Sequence, residues 1–421
     1  MNDKLRIAEI KEDKEKINNF FVDFGINAEI FEILDGINYT THKIKLKGKE
    51  KTSKIKNLVY DLSIRLGKEI TINDFEGNFE FNIPNKQRKI IYYNEIGNID
   101  KNLDKLTIPI GVNNLGKTLS LDLAKAPHLL IGGASGSGKS IFIKQLLVSM
   151  LQNYTDKEID FIIVDNKMVE FENFRPVNNV KILTETRDTI EILDELITEM
   201  NTRYNNFLMN GVTNIQEFNK LTYLDEKYKY KILIIDEFSD LVLGNKKEVE
   251  PRILKLAQLS RASGIHLILA TQRPTTQIVS GNIKANFSTR ISFKVATNTD
   301  SRVILGENGA ENLLGNGDGI IYSDNRIDRF QAPLLTVEKQ EEIIKEILSK
   351  QEVVTYSKNY VFNDIAKKIM NKKISKINIL SIIDNYKIGY LLATEIIEEL
   401  ENKKLINTNK GDLINGYEIS L

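Results

Sequence analysis

The 421-residue chain contains no cysteine, which removes disulfides, thiolate catalysis and cysteine-type zinc sites. Its three histidines are too scattered to form a metal cluster. It carries no net charge: Lys+Arg and Asp+Glu both count 58, so bulk charge announces no nucleic-acid partner, and any basic surface for DNA has to be local. No uninterrupted apolar run approaches the ~20 residues needed to span a bilayer. The opening Met1-Asn-Asp-Lys-Leu-Arg6 lacks the apolar segment of a signal peptide. A soluble, cytoplasmic protein without membrane insertion is the expectation. Internal repeats and long low-complexity segments are also absent. What remains is 41% hydrophobic, ordinary for a globular protein, and long enough for two or three domains.

The most specific feature present is Gly133-Ala-Ser-Gly-Ser-Gly-Lys139-Ser140, which follows the apolar run His128–Ile131 and precedes the helical pattern Ile141–Val148. That is G-x-x-x-x-G-K-S in the strand, loop and helix context of a phosphate-binding loop. Gly133, Ala134, Ser135, Gly136, Ser137, Gly138, Lys139, Ser140 and Ile141 are therefore the candidate ATP-binding residues. Backbone N–H groups and the helix N-terminus favour the β-phosphate, Lys139 reaches the β/γ-phosphates, and the Ser140 hydroxyl can ligate Mg²⁺.

Residues 1–105 mix charged helical patterns with alternating runs at 28–33, 42–46 and 79–83, and read as a small α+β domain. Lys54–Leu66 has apolar residues at helical spacing, assigned to core packing. From 106 to 335, strand candidates at 129–131, 161–164, 232–235, 267–270 and 291–293 alternate with helical stretches. This predicts a P-loop (RecA-like) α/β core with a parallel sheet covered on both faces and its chemistry at the carboxyl ends of the strands. Residues 336–358 are read as a helix and linker. Helix candidates at 363–370, 375–384 and 391–402, then a hairpin around Asn409-Lys-Gly411, predict a winged helix over 359–421.

Lys231-Ile-Leu-Ile-Ile-Asp236-Glu237 is an apolar strand ending in two acids, which places Asp236 to hold Mg²⁺ and Glu237 to orient or deprotonate water. Thr271 and Gln272 end another such strand, where the Gln272 amide can sense the γ-phosphate. Arg261, Arg290 and Arg302 flank that strand as candidates for an arginine finger acting across a subunit boundary.

These residues resemble the motor domain of the FtsK/SpoIIIE double-stranded DNA translocases over about 106–335. Further matches lie in Pro127-His-Leu-Leu, Asp236-Glu-Phe-Ser-Asp240, Gly264–Pro274, Gly281–Asn286, Asp300-Ser-Arg302, Gly309-Ala-Glu311 and Leu313–Asp318. Ile83-Pro-Asn-Lys86 is similar to a motif of the family's α domain, and Ile388-Gly-Tyr390 with Glu395–Glu398 to its γ winged helix. The resemblance implies ATP hydrolysis, a homohexameric ring around duplex DNA and nucleotide sites between subunits, with Arg261 as the first choice of finger and Arg290 the second. It also implies a channel loop at 275–289, carrying Lys284 and few bulky core residues, that grips phosphates without reading sequence. Two positions depart from the pattern. Asp165-Asn-Lys167, followed by Glu170, stands where the family has Asp-Pro-Lys. On the last helix, Leu392, Ile396 and Leu400 face inward while Leu391, Glu395 and Glu398 face outward. Leu391 and Glu395 stand where the family offers an amide and an arginine to base edges. Another sequence, a protein partner or nothing specific is left for that domain. A coupling or secretion ATPase and an ATP-switched DNA-binding accessory are the rival readings.

Overall fold

Three separate sheets, of four, ten and three strands, organise the chain. The computed structural model describes residues 2–48, 52–75, 78–96, 106–221, 227–351, 358–371, 374, 376–412 and 416–419. The first region runs α1 (Asn2–Asp23), β1 (Ala28–Asp35), β2 (Tyr39–Leu46), α2 (Thr52–Asn57), α3 (Val59–Leu66), β3 (Thr71–Phe75) and β4 (Asn78–Pro84). Its antiparallel sheet has the order β1-β2-β4-β3. Phe20 and Phe21 of α1 share a core with Ile44, Phe79 and Phe81 of the sheet. The stretch Lys54–Leu66 forms two helices rather than one, because the backbone leaves helical geometry at Leu58 (φ −100°, ψ 3°). Ile55, Leu62 and Leu66 are nevertheless buried, as their spacing predicts.

The central region contains β5 (Thr107–Val112), β6 (Thr118–Asp122), β7 (His128–Gly132), α4 (Lys139–Asn153), β8 (Ile159–Val164), β9 (Val180–Leu183), α5 (Thr186–Met209), α6 (Ile215–Asn219), β10 (Tyr230–Ile235), α7 (Phe238–Leu259) and β11 (Ile265–Thr271). It continues through α8 (Gly281–Asn286), β12 (Thr289–Phe293), α9 (Asn298–Ile304), β13 (Asp318–Ser323), β14 (Arg326–Gln331) and α10 (Val337–Lys350). The sheet order is β6-β5-β14-β13-β12-β7-β11-β10-β8-β9. All five strand candidates lie in its parallel part, from β12 to β9. The expected all-parallel sheet is corrected on one side, where β13, β14, β5 and β6 extend it antiparallel.

The apolar strands are continuous because both faces are covered. Ile232 and Ile234 belong to the core beneath α4, whereas Leu233 and Ile235 belong to the core beneath α5 and α7. Each side chain buried in this way stabilises the fold by about 2 kcal/mol. The segment 275–289, expected to carry few bulky core residues, instead buries Ile278, Val279, Ile283 and Phe287 under the short α8. Of the helix and linker expected over 336–358, the helix is α10, whose Ile343 and Ile344 are buried in the same core as α4. Residues 352–357 lie outside the described residues.

The last region comprises α11 (Lys358–Met370), β15 (Lys376–Ile377), α12 (Ile379–Tyr386), α13 (Tyr390–Asn402), β16 (Ile406–Asp412) and β17 (Gly416–Ile419), with the strands ordered β15-β17-β16. The helix candidate at 375–384 starts late because Asn378 caps it, accepting the Ser381 N–H at 2.6 Å. The hairpin expected around Asn409-Lys-Gly411 is displaced, since those residues belong to β16, which pairs antiparallel with β17; Ser375 and residues 413–415 lie outside the described residues. On α13, Ile396 and Leu400 are buried while Leu391, Glu395 and Glu398 are exposed, and Glu395 pairs with Lys358 at 3.2 Å.

Polar contacts join the regions. Asn38, between β1 and β2, donates to the Gln331 amide oxygen at 2.7 Å, and Arg329 lies 4.6 Å over the Tyr39 ring while binding Asp318. At the other end, Asp384 of α12 pairs with Arg175, and Lys387 donates to the Arg175 and Val180 carbonyls at 3.1 and 2.5 Å. Burial pushes the Lys387 ammonium down to about 8.

Candidate nucleotide-binding site

The loop after β7 is fixed by the strands on either side of it. Gly133 N–H donates to the Thr271 carbonyl of β11 at 3.3 Å, and Ala134 N–H to the Lys294 carbonyl after β12 at 2.8 Å. The chain then turns through Gly136 and Gly138, both with positive φ, into α4. Glycine is required at 138: φ is +108°, and a Cβ there would lie 2.6 Å from the backbone nitrogen of Gly317. Gly317 in turn donates its N–H to the Ser137 carbonyl at 2.9 Å, so the Leu313–Asp318 segment buttresses the loop from outside.

Beside the loop lies a cavity of about 630 Å³, within the usual range for small-molecule sites. Ala134, Ser135, Gly136, Gly138, Lys139 and Ser140 line one end, with Ile141 at the rim and Gln272 opposite. A phosphate fits this end, because the free N–H groups of an α-helix N-terminus converge there.

Lys139, almost fully buried, donates to the Asp236 carbonyl at 2.8 Å and to its carboxylate at 3.0 Å. Burial pushes the Asp236 carboxyl up, against the pull of the lysine. A cation with phosphate bound in front of it would lower that cost.

Glu237 and Asp236 line a small adjoining recess with Asp240 and Lys167, whose charged ends are 3.7 Å apart. The Glu237 carboxylate is held by three donors: the Ser239 hydroxyl at 2.6 Å, the Thr271 hydroxyl at 2.9 Å and the Gln272 N–H at 3.1 Å. Thr271 thus serves as an orienting hydroxyl, a role that its burial at a strand's carboxyl end signals. Asp165 organises the neighbouring turn by accepting from the Lys167, Glu170 and Phe171 N–H groups. Glu170 returns to the cavity wall and pairs with Lys144 of α4.

The structure therefore gathers Lys139, Ser140, Asp236, Glu237 and Gln272 around one place. It does not bring the arginines there. Arg261 precedes β11 and donates to the Ala124 carbonyl at 3.2 Å. Arg290 stacks 4.1 Å over Tyr322 and lines a separate groove with Lys284. Arg302 donates to Asn308 at 2.7 Å.

The far end of the cavity went unnoticed in the sequence. Arg88, Lys89, Ile90 and Ile91 line it side by side with Ala332, Pro333 and Leu334, to which they are paired, and Asn38 and Gln331 complete this part of the lining. Residues 88–91 carry no periodic pattern and belong to no motif, so only folding reveals them.

Among the described residues, no helix is long and apolar enough to cross a membrane. The FtsK/SpoIIIE family matches residues 95–276, and the FtsK alpha domain matches residues 1–85. The DNA translocase FtsK of Caldanaerobacter subterraneus subsp. tengcongensis is 33% identical over 97% of this chain and 61% of that protein. Its counterpart from Rickettsia prowazekii is 31% identical over 95% of this chain and 62% of that protein. The chain thus spans about six-tenths of the length of these curated relatives. Among solved structures, the pCW3 conjugation coupling protein TcpA, in a monomer form with ATPgS, aligns with a TM-score of 0.59 at 22% identity, over 80% of this chain and 99% of that one. The cytoplasmic domain of the Thermomonospora curvata type VII secretion ATPase EccC aligns at 0.53 and 24% identity, over 60% of this chain and 32% of that one. At such identities the likeness shows the fold, that of a P-loop ATPase.

Proposed function

The chain belongs to the FtsK/SpoIIIE family, and on that footing we propose that it hydrolyses ATP to move along double-stranded DNA. The observation that carries the reading is the meeting of the glycine-rich loop and Gln272 at one cavity, with the Asp236–Glu237 strand end joined to them through the Lys139–Asp236 and Thr271–Glu237 contacts. In this reading Lys139 neutralises the β/γ-phosphates, and Ser140 and Asp236 hold Mg²⁺, which supplies charge neutralisation at the transferred phosphoryl group. Glu237 polarises the attacking water while Thr271 keeps its carboxylate aimed, and Gln272 faces the γ-phosphate.

The working form is a hexameric ring, with residues 1–105 as an alpha-like domain, 106–335 as the motor and 359–421 as a winged helix. Neither arginine candidate lines the cavity of its own subunit, as a residue acting on a neighbour requires; Arg261 is the first choice and Arg290 the second. The 275–289 segment, with Lys284, contacts DNA phosphates. The exposed Leu391 and Glu395 offer no hydrogen-bond donor to a guanine, so the last domain does not read the family's usual DNA signal and is free to meet a protein.

The test is ATP-dependent displacement of a triplex strand from long linear duplex. Wild type should displace it, Lys139→Ala should not, and Glu237→Gln should retain ATP and bind DNA without moving. Rapid turnover by Glu237→Gln, or displacement by Lys139→Ala, would sink the assignment.

A further inference from the structure

We infer that residues 88–93 form a strap against which the nucleobase of the bound nucleotide packs, so that the ligand itself fastens the N-terminal α+β region to the motor. The inference rests on the ATP reading of the cavity. With phosphates at the glycine-rich loop, the remainder of the ligand meets the rest of the lining of the same cavity, which includes Ile90–Ile91 and Pro333–Leu334.

That surface offers apolar side chains to a base, while the neighbouring Arg88 is engaged by the Gly315 carbonyl at 3.3 Å and Lys89 by Glu95 at 3.1 Å. Ile91 is buried, and its carbonyl accepts the Leu334 N–H at 2.7 Å, while Tyr93 donates its N–H back to the Leu334 carbonyl at 3.1 Å. This short parallel pairing sews the strap to the segment after β14 and leaves Ile90, 56% exposed, beside the cavity. An isoleucine so exposed at a cavity wall gains free energy when a base covers it. The polar groups behind it are already engaged: the Gln331 amide accepts from Asn38 and donates to the Asn316 and Ala332 carbonyls at 2.8 and 3.0 Å. They hold the wall and leave apolar contact as the main grip on the base.

The strap lies between the two family matches, which end at 85 and resume at 95, so neither match assigns it a role. It is also the covalent link between the first sheet and the motor. Whatever tightens the strap therefore tightens the junction, and by linkage a loosened junction weakens the ligand by the same factor.

The experiment compares two probes by calorimetry on the full chain, ATP and inorganic tripolyphosphate, in wild type, Ile90→Ser and Lys139→Ala. Tripolyphosphate presents the phosphates without a base. Ile90→Ser should weaken ATP about tenfold and leave tripolyphosphate unchanged, as loss of one aliphatic contact implies. Lys139→Ala should weaken both. Amide hydrogen exchange of residues 88–93 should slow with ATP and not with tripolyphosphate. Equal effects of Ile90→Ser on both probes, no effect on either, or exchange that slows alike with both, would overturn the strap while leaving the phosphate site standing. Failure of wild type to bind either probe would remove the ATP reading and the strap together. Because Ile90 is exposed, the serine variant should fold, and its thermal midpoint without ligand should match wild type.

Discussion

The two ends of the cavity are held by different means. At the phosphate end, consecutive backbone groups of 133–140 are fixed by neighbouring strands and by glycines with no alternative, so shape is set to within a methyl group. At the far end, side chains from 88–91 and 332–334 meet only because Asn38, Gln331 and the Ile91–Leu334 pairing hold two regions together. The first end should fail abruptly under substitution, and the second by degrees.

The sharpest break is expected at Lys139. Lys139→Ala removes the cation beside Asp236 and leaves that carboxylate buried without its partner. ATP turnover should fall by on the order of 10³-fold, as loss of a central electrostatic contact implies. Steady-state phosphate release checks it; a fall of less than tenfold would place the phosphates elsewhere.

Acid should strike both the first sheet and the central one, because each holds a buried neutral histidine. His42 of the first sheet is pushed down to about 4 by burial, with Lys68 and Arg6 adding to the effect. Burial also holds His266, at the start of β11, near 4. A histidine whose folded pKa lies below its unfolded value keeps its full stability contribution above the unfolded pKa and loses it as pH falls through the window toward the folded one. Stability should therefore decline from about pH 6.5 to about pH 4, by roughly 3 kcal/mol for His42 alone. Denaturant melts of wild type and His42→Phe across that window check it, the variant having the shallower slope.

Gly138→Ala tests the claim of abruptness directly. With φ at +108° and the Gly317 nitrogen in the way, one methyl should cost about 2 kcal/mol or more and disturb ATP binding as well as folding. Thr271→Val is the mildest change. It removes one of three donors from Glu237 while keeping volume, so turnover should fall about fivefold with ATP affinity unchanged. A KM that rises while kcat stays constant would contradict the orienting role.

The phosphate end was legible because strand, loop and helix are contiguous, and the central strands because burial on both faces writes unbroken apolar runs such as Ile232–Ile235. The pairs β5–β6 and β13–β14 escaped notice. Arg326–Gln331 is exposed over its first half and mixes charge among its apolar residues, and Pro109 and Gly111 interrupt the other pair, where the register shifts. Lys54–Leu66 kept its helical period across Leu58, so periodicity alone could not reveal the break. Ile278, Val279, Ile283 and Phe287 were hidden by the polar residues between them. The strap reads as a charged connection, since its pairing partner Leu334 is far along the chain.

Gly317 joins the two ends. It touches Gly138 on one side, and on the other a Cβ would lie 2.9 Å from the Gln331 amide and 3.1 Å from the Ala332 carbonyl. It therefore acts as the spacer of a gauge: the glycine-rich loop and the Gln331–Ala332 segment, which line the same cavity, are held apart by one glycine. A bulkier residue there would lengthen the gauge and change which ligand spans it.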